Sequence, residues 1–97
     1  MEKTMTKKMT RPEQLRAVQD ECFELFKRKN ADYGDAFADY GPVGVMIRMG
    51  DKLRRMASIS KAGVTLVGDE RLRDTALDLA NYSMMLIMLL DEDENTK

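Results

Sequence analysis

Residues 75–90 read TALDLANYSMMLIMLL, and Asp78 is the only charge in that stretch. At about 100° per residue, Leu72, Leu79, Leu86 and Leu90 share one side of a helix, while Ala76, Leu77, Ala80, Met84 and Ile87 cover most of the rest. A helix that is apolar nearly all round is expected to be buried nearly all round. Two amphipathic neighbours cannot cover it alone. The stretch therefore predicts an all-α protein, a small bundle of three main helices whose core is completed by homo-oligomerisation, as a dimer or a tetramer.

The flanking segments fit that layout. Thr10-Arg11-Pro12-Glu13 carries a helix start: Thr10 as cap, Pro12 where its missing N–H costs nothing, and Glu13 to close a capping box. Leu15, Val18, Cys22, Leu25 and Phe26 follow at helical spacing, and this first helix is expected to fade near Asn30. Residues 30–42, NADYGDAFADYGP, read as a loop. Pro42 opens a second helix to about Lys61, with Met46, Met49, Leu53, Met56 and Ala57 as its core stripe. Residues 62–68, AGVTLVG, read as a strand-like linker or a turn. Asp69 is placed to cap a third helix over roughly 70–91. The domain organisation is then a flexible tail at 1–9, one all-α domain at 10–91 and a flexible acidic tail at 92–97.

Composition narrows the chemistry. The 97 residues carry 16 basic and 17 acidic side chains, so no overall field draws the chain to nucleic acid or to an anionic membrane. There is no His and one Cys, which excludes Ser-His-Asp and Cys-His catalysis, His-ligated metals and Cys-rich zinc sites. Cys22 lies on the apolar face of the first helix and reads as an inert packed thiol. Lone-cysteine usage suits a reducing cytoplasm, and residues 1–10 have no apolar segment of the secretory kind. The C-terminal apolar run is shorter than the roughly 20 residues a membrane span needs.

Charged residues stand out against that background. Glu70, Asp74 and Asp78 recur at i, i+4 and i+8, with Asn81 in the same arc. Three carboxylates on one face of a buried helix repel one another and require a positive partner. One reading supplies Mg²⁺ or Mn²⁺, which suit oxygen ligands; the other supplies Arg or Lys in structural pairs. On the second helix, Arg48, Asp51, Lys52 and Arg55 share an arc opposite the Met49/Leu53/Met56 stripe. One reading gives Asp51 to the metal and Arg48, Lys52 and Arg55 to phosphate oxygens; the other is a solvated charged face. In the loop, Tyr33 and Phe37 can stack on a nucleobase while Asn30 or Asp32 bonds its edge. Alternatively, Phe37 plugs the helix junction.

The strings KNADYGDAF (29–37), RMGDKLRRM (48–56) and DERLRDTALDLANY (69–82) resemble, in that order, the nucleotide-modification-associated domain found widely in phages. That family is similar in turn to the MazG-like all-α nucleoside triphosphate pyrophosphohydrolases, although the ExxE cluster of those enzymes is missing here. The resemblance implies Mg²⁺-dependent hydrolysis of a (deoxy)nucleoside triphosphate to the monophosphate and pyrophosphate. Asp51, Glu70, Asp74 and Asp78 would hold the metal and carry the catalysis, with Arg48, Lys52 and Arg55 on the phosphates. Asn30, Asp32, Tyr33 and Phe37 would sit at the base, and Asn81 and Tyr82 would orient ligands from behind. Two other readings stand beside it: a nucleotide-binding or sequestering module without turnover, and a helical interaction protein whose charged stripes join subunits.

Overall fold

A computed structural model describes residues 8–61 and 69–96. Among these residues there are three α-helices, one short 3₁₀ turn and no strand: α1 (Arg11–Tyr33), the 3₁₀ turn (Ala36–Ala38), α2 (Gly41–Lys61) and α3 (Glu70–Thr96). The all-helical expectation with three main helices is met. The strand-like reading of 62–68 and most of the tail assigned to 1–9 fall outside the described residues.

The helix starts are those written in the sequence. Thr10 Oγ1 accepts from the Glu13 N–H at 3.2 Å, and Glu13 Oε1 accepts from the Thr10 N–H at 2.8 Å, a reciprocal capping box. Asp69 Oδ1 accepts from the backbone N–H groups of Arg71 (2.9 Å) and Leu72 (3.3 Å) and caps α3. The ends differ from expectation. α1 runs through Asn30 and Asp32 to Tyr33 and stops at Gly34, whose φ of 58° and ψ of −137° favour glycine. Asn30 and Asp32 are only weak helix breakers, and the chain waits for the residue without a Cβ. The long loop shrinks accordingly. α3 continues past residue 91 to Thr96, so residues 92–96 are helical.

α2 and α3 pack along one another, while α1 meets α3 over a shorter stretch. The core is thin: Cys22, Val45, Ile59, Leu77 and Leu89 are the buried apolar residues among those described, with Thr75 and Asn81 buried beside them. Two expectations need correction. The inward face of α2 is Val45, Met49, Lys52, Met56 and Ile59, spaced 4, 3, 4, 3, and not the Met46/Leu53 stripe. Met46 and Leu53 are both more than half exposed. The basic face thus partly turns toward α3 instead of lying opposite the core. α3 is also covered on one side only within a single chain: Leu77 and Leu89 are buried, whereas Met84, Ile87, Met88 and Leu90 are exposed.

Candidate functional site

Extending α1 to Tyr33 has a direct consequence for the site. Phe26, Lys29, Asn30 and Tyr33 follow at i, i+3, i+4 and i+7 and share one face of the helix. The Gly34 turn then folds the 3₁₀ segment back, so that Phe37 meets Phe26 edge-to-face, centroids 6.3 Å apart at 76°. α2 contributes Arg48, and α3 contributes Tyr82 and Met85. These side chains, with Gly34 and Ala36, line one pocket of about 460 Å³ where all three helices converge. Its walls are largely aromatic, and its polar side chains are Lys29, Arg48, the Asn30 amide and the two tyrosines.

Beside the pocket, Asp78 joins the three helices electrostatically. Lys29 Nζ from α1 lies 3.2 Å from Asp78 Oδ1, and Lys52 Nζ from α2 lies 3.3 Å from Asp78 Oδ2. The Asp78 side chain is 20 % exposed and that of Lys52 27 %, so the pair sits away from bulk solvent, while the Lys29 side chain is half exposed. Lys52 Nζ also stands 6.0 Å from the centroid of the Tyr82 ring, at the margin of cation–π distance.

The remaining residues singled out in the sequence distribute unevenly. Asn30, Tyr33, Phe37, Arg48 and Tyr82 line the pocket; Asp32 is exposed and does not. Arg55 donates from Nε to Thr75 Oγ1 at 3.3 Å, tying α2 to α3. Asp51 is exposed and pairs with Arg54 one turn along its own helix. Glu70 and Asp74 are exposed. Asn81 is buried, but its Nδ2 donates to the Cys22 carbonyl at 3.1 Å, which fastens α3 to α1.

The acid ladder therefore does not converge. Each i+4 step advances about 40° round the helix, which places Glu70 about 80° from Asp78, and the α2 seam takes up only the last of the three. Among the described residues, no group of three or more acidic or cysteine side chains is placed to hold a metal ion. Asp51, Glu70, Asp74 and Asp78 of one chain thus do not fit a Mg²⁺ or Mn²⁺ centre, and Asp78 is already met by two ammonium groups.

Other charged groups stabilise the frame. Arg73 grips Glu21 with two bonds of 2.7 and 2.6 Å, and this guanidinium holds the Glu21 carboxyl below its ordinary range. Arg71 lowers the Asp69 carboxyl in the same way, helped by the two capped N–H groups. Burial pushes the Cys22 thiol up, with the Glu21 charge adding to the effect, which agrees with an inert packed residue. Sequence reasoning passed over Phe26 and Lys29 as pocket residues. Their spacing to Asn30 and Tyr33 was the available signal, hidden once the helix was ended at Asn30.

Among the described residues, no helix is long and apolar enough to cross a membrane. A family model described as nucleotide modification associated domain 1 matches residues 29–90, more than half of the chain. The match opens at Lys29 and spans Asn30, Tyr33, Phe37, Arg48, Lys52, Asp78 and Tyr82, but not Phe26. No curated protein and no solved structure matches the chain.

Proposed function

The chain belongs to the nucleotide modification associated domain 1 family, and on that premise we propose that it binds a nucleotide in the pocket between its three helices. One observation carries the reading: Phe26, Tyr33, Phe37 and Tyr82 share a single pocket with Lys29 and Arg48. Flat apolar rings stack on the faces of a base, and Arg and Lys donate to phosphate oxygens. Asn30, in the same wall, offers a donor and an acceptor to the base edge. Of the readings open to the sequence, this geometry supports the binding module best. Hydrolysis of a bound triphosphate calls for acids gathered round a divalent cation, and those acids lie apart in one chain. The likeness to MazG-like enzymes is supported here by the three-helix, all-α layout.

The same reading includes a second copy of the chain. α2 turns Lys52 toward α3 and leaves Val43, Met46, Ile47 and Leu53 exposed; α3 leaves Met84, Ile87 and Leu90 exposed. Residues 11–20 of α1 are exposed throughout, yet Leu15 and Val18 continue the stripe that buries Cys22. Most of a helix's stability in a protein comes from packing its apolar face, and this stretch buries no residue within one chain. An identical chain, carrying the same apolar faces and almost no net charge, is the occupant we assign.

The test is a calorimetric titration of the full chain with deoxynucleoside mono- and triphosphates, with and without Mg²⁺, and a pyrophosphate assay on the same samples. Binding that is weakened by Tyr33→Ala and by Arg48→Gln, but not by Lys61→Gln, supports the proposal. Failure of every nucleotide to bind overturns it. Pyrophosphate release would move the assignment from binding to hydrolysis.

A further inference from the structure

A carboxylate lies beside the proposed phosphate subsite, paired with one of its lysines. Lys29 and Lys52 come from different helices, and both ammonium groups lie within 3.3 Å of Asp78. An anion-binding site gains no affinity from a negative charge beside it. A purely structural pair would need only one lysine, and Lys29 is also part of the pocket wall. Lys29, Arg48 and Lys52 bring three positive charges to the region and Asp78 removes one, leaving two.

Resting on the nucleotide-binding reading, we propose that Asp78 determines specificity by charge: it holds the two lysines in place and penalises phosphate chains according to their negative charge. With two positive charges left the site still attracts a metal-free triphosphate more than a monophosphate, and Asp78 narrows that preference. The argument is Coulombic. A fixed carboxylate repels a dianionic phosphomonoester in proportion to two charges and a triphosphate in proportion to about four. Each lysine ammonium has three donors and spends one on Asp78, so both keep donors for a ligand oxygen. The carboxylate therefore sets the field at the site without blocking it. The opposite assignment, Asp78 as a ligand of a cation carried in with the triphosphate, predicts effects of opposite sign.

The experiment measures affinities for a deoxynucleoside mono-, di- and triphosphate of one base, in EDTA at fixed ionic strength, for the native chain and for Asp78→Asn. The native chain is expected to gain no more than about tenfold from monophosphate to triphosphate; a larger gain overturns the inference. Asp78→Asn is expected to tighten monophosphate binding by about tenfold and triphosphate binding by about a hundredfold. Equal tightening of all three, no change, or weaker binding overturns it, as does a loss of triphosphate binding confined to samples with Mg²⁺. Asp78→Ser repeats the measurement should the amide fail to fold. If the native chain binds none of the three nucleotides, the nucleotide-binding reading itself has failed, an outcome distinct from a chain that binds without charge discrimination.

Discussion

Replacing Asn81 separates two roles that the sequence alone could not distinguish. As a group orienting ligands, Asn81 would affect nucleotide binding and leave the fold alone. The structure places it elsewhere: 6 % exposed, absent from the pocket wall, with Nδ2 donating to the Cys22 carbonyl across the α1–α3 contact. Asn81→Ala removes that bond, worth about 1 kcal/mol net. It also leaves the space of the amide unfilled, at a further cost of about 1 kcal/mol. The Cys22 carbonyl is not orphaned, because it lies inside α1 where the amide four residues on already serves it. The expected loss is thus about 2 kcal/mol, or a fall in Tm of about 10 °C for a domain of this size.

Asn81→Leu provides the control. It keeps the heavy-atom count and branching while exchanging a hydrogen bond for apolar burial, and although its methyl groups are bulkier than the amide, its cost should stay below the roughly 2 kcal/mol of Asn81→Ala. Urea denaturation at one protein concentration gives both values, since any coupling to self-association makes stability depend on concentration. Nucleotide affinity is measured on the same folded samples. Asn81→Leu with native stability and native affinity agrees with a helix fastener. Native stability with lost nucleotide binding would refute the reasoning and return Asn81 to the ligand.

Three further outcomes follow from the same geometry. Gly34→Ala forces a side chain into a φ of 58° with ψ of −137°; it should cost about 1–3 kcal/mol in thermal denaturation and weaken nucleotide binding, because the turn carries Phe37 to Phe26. Glu21 and Asp69 have lowered carboxyl pKa values in the folded chain, so the folded state binds fewer protons than the unfolded one; their contribution is complete above the ordinary carboxylate range and is lost as pH falls from that range through the lowered values, which an acid titration followed by circular dichroism should show as a decline that starts within the ordinary range. Leu53→Lys and Ile87→Lys charge two exposed apolar faces; light scattering should show an oligomer in the native chain and a smaller species in the variants, and a native monomer would remove the second copy.

The helices were legible because their signals are local. Thr10, Glu13 and Asp69 satisfy backbone donors a few residues away, and nothing distant is needed to read them. The pocket was half legible: Asn30, Tyr33, Phe37 and Arg48 were named, but Lys29 and Phe26 join them only when α1 continues to Gly34. The inward face of α2 was misread for a different reason. Both the Val45/Met49/Met56/Ile59 face and the Met46/Leu53 face are apolar, and periodicity cannot say which of two apolar faces meets a neighbour. The acids of α3 spread apart within one chain because equal spacing along a helix is not equal direction. Asn81 was grouped with the acids because it shares their arc, whereas its partner is a backbone carbonyl in another helix, which no side-chain pattern announces.

A thin three-helix chain has little reason to keep charge in its main seam for stability. Replacing part-buried ion pairs by apolar side chains of similar size is often neutral or stabilising. Lys52 nevertheless sits at a position whose heptad neighbours are Val45, Met49, Met56 and Ile59, where Leu or Met would extend the core. The same helix sends Leu53 and Met46 outward, where Lys or Glu would be soluble. Read as a monomer, α2 is inside out on both counts. Two proposed demands would reconcile it: a second chain on the outer face would give the exposed apolar residues their core, and a phosphate-bearing ligand near the seam would give the inward lysine its purpose. Lys52→Met tests the balance between them: Asp78 keeps Lys29 as its partner, so the melting temperature of the free chain should hold while nucleotide affinity weakens. A fall in stability with unchanged affinity would make the Lys29–Asp78–Lys52 cluster a clamp between helices and nothing more.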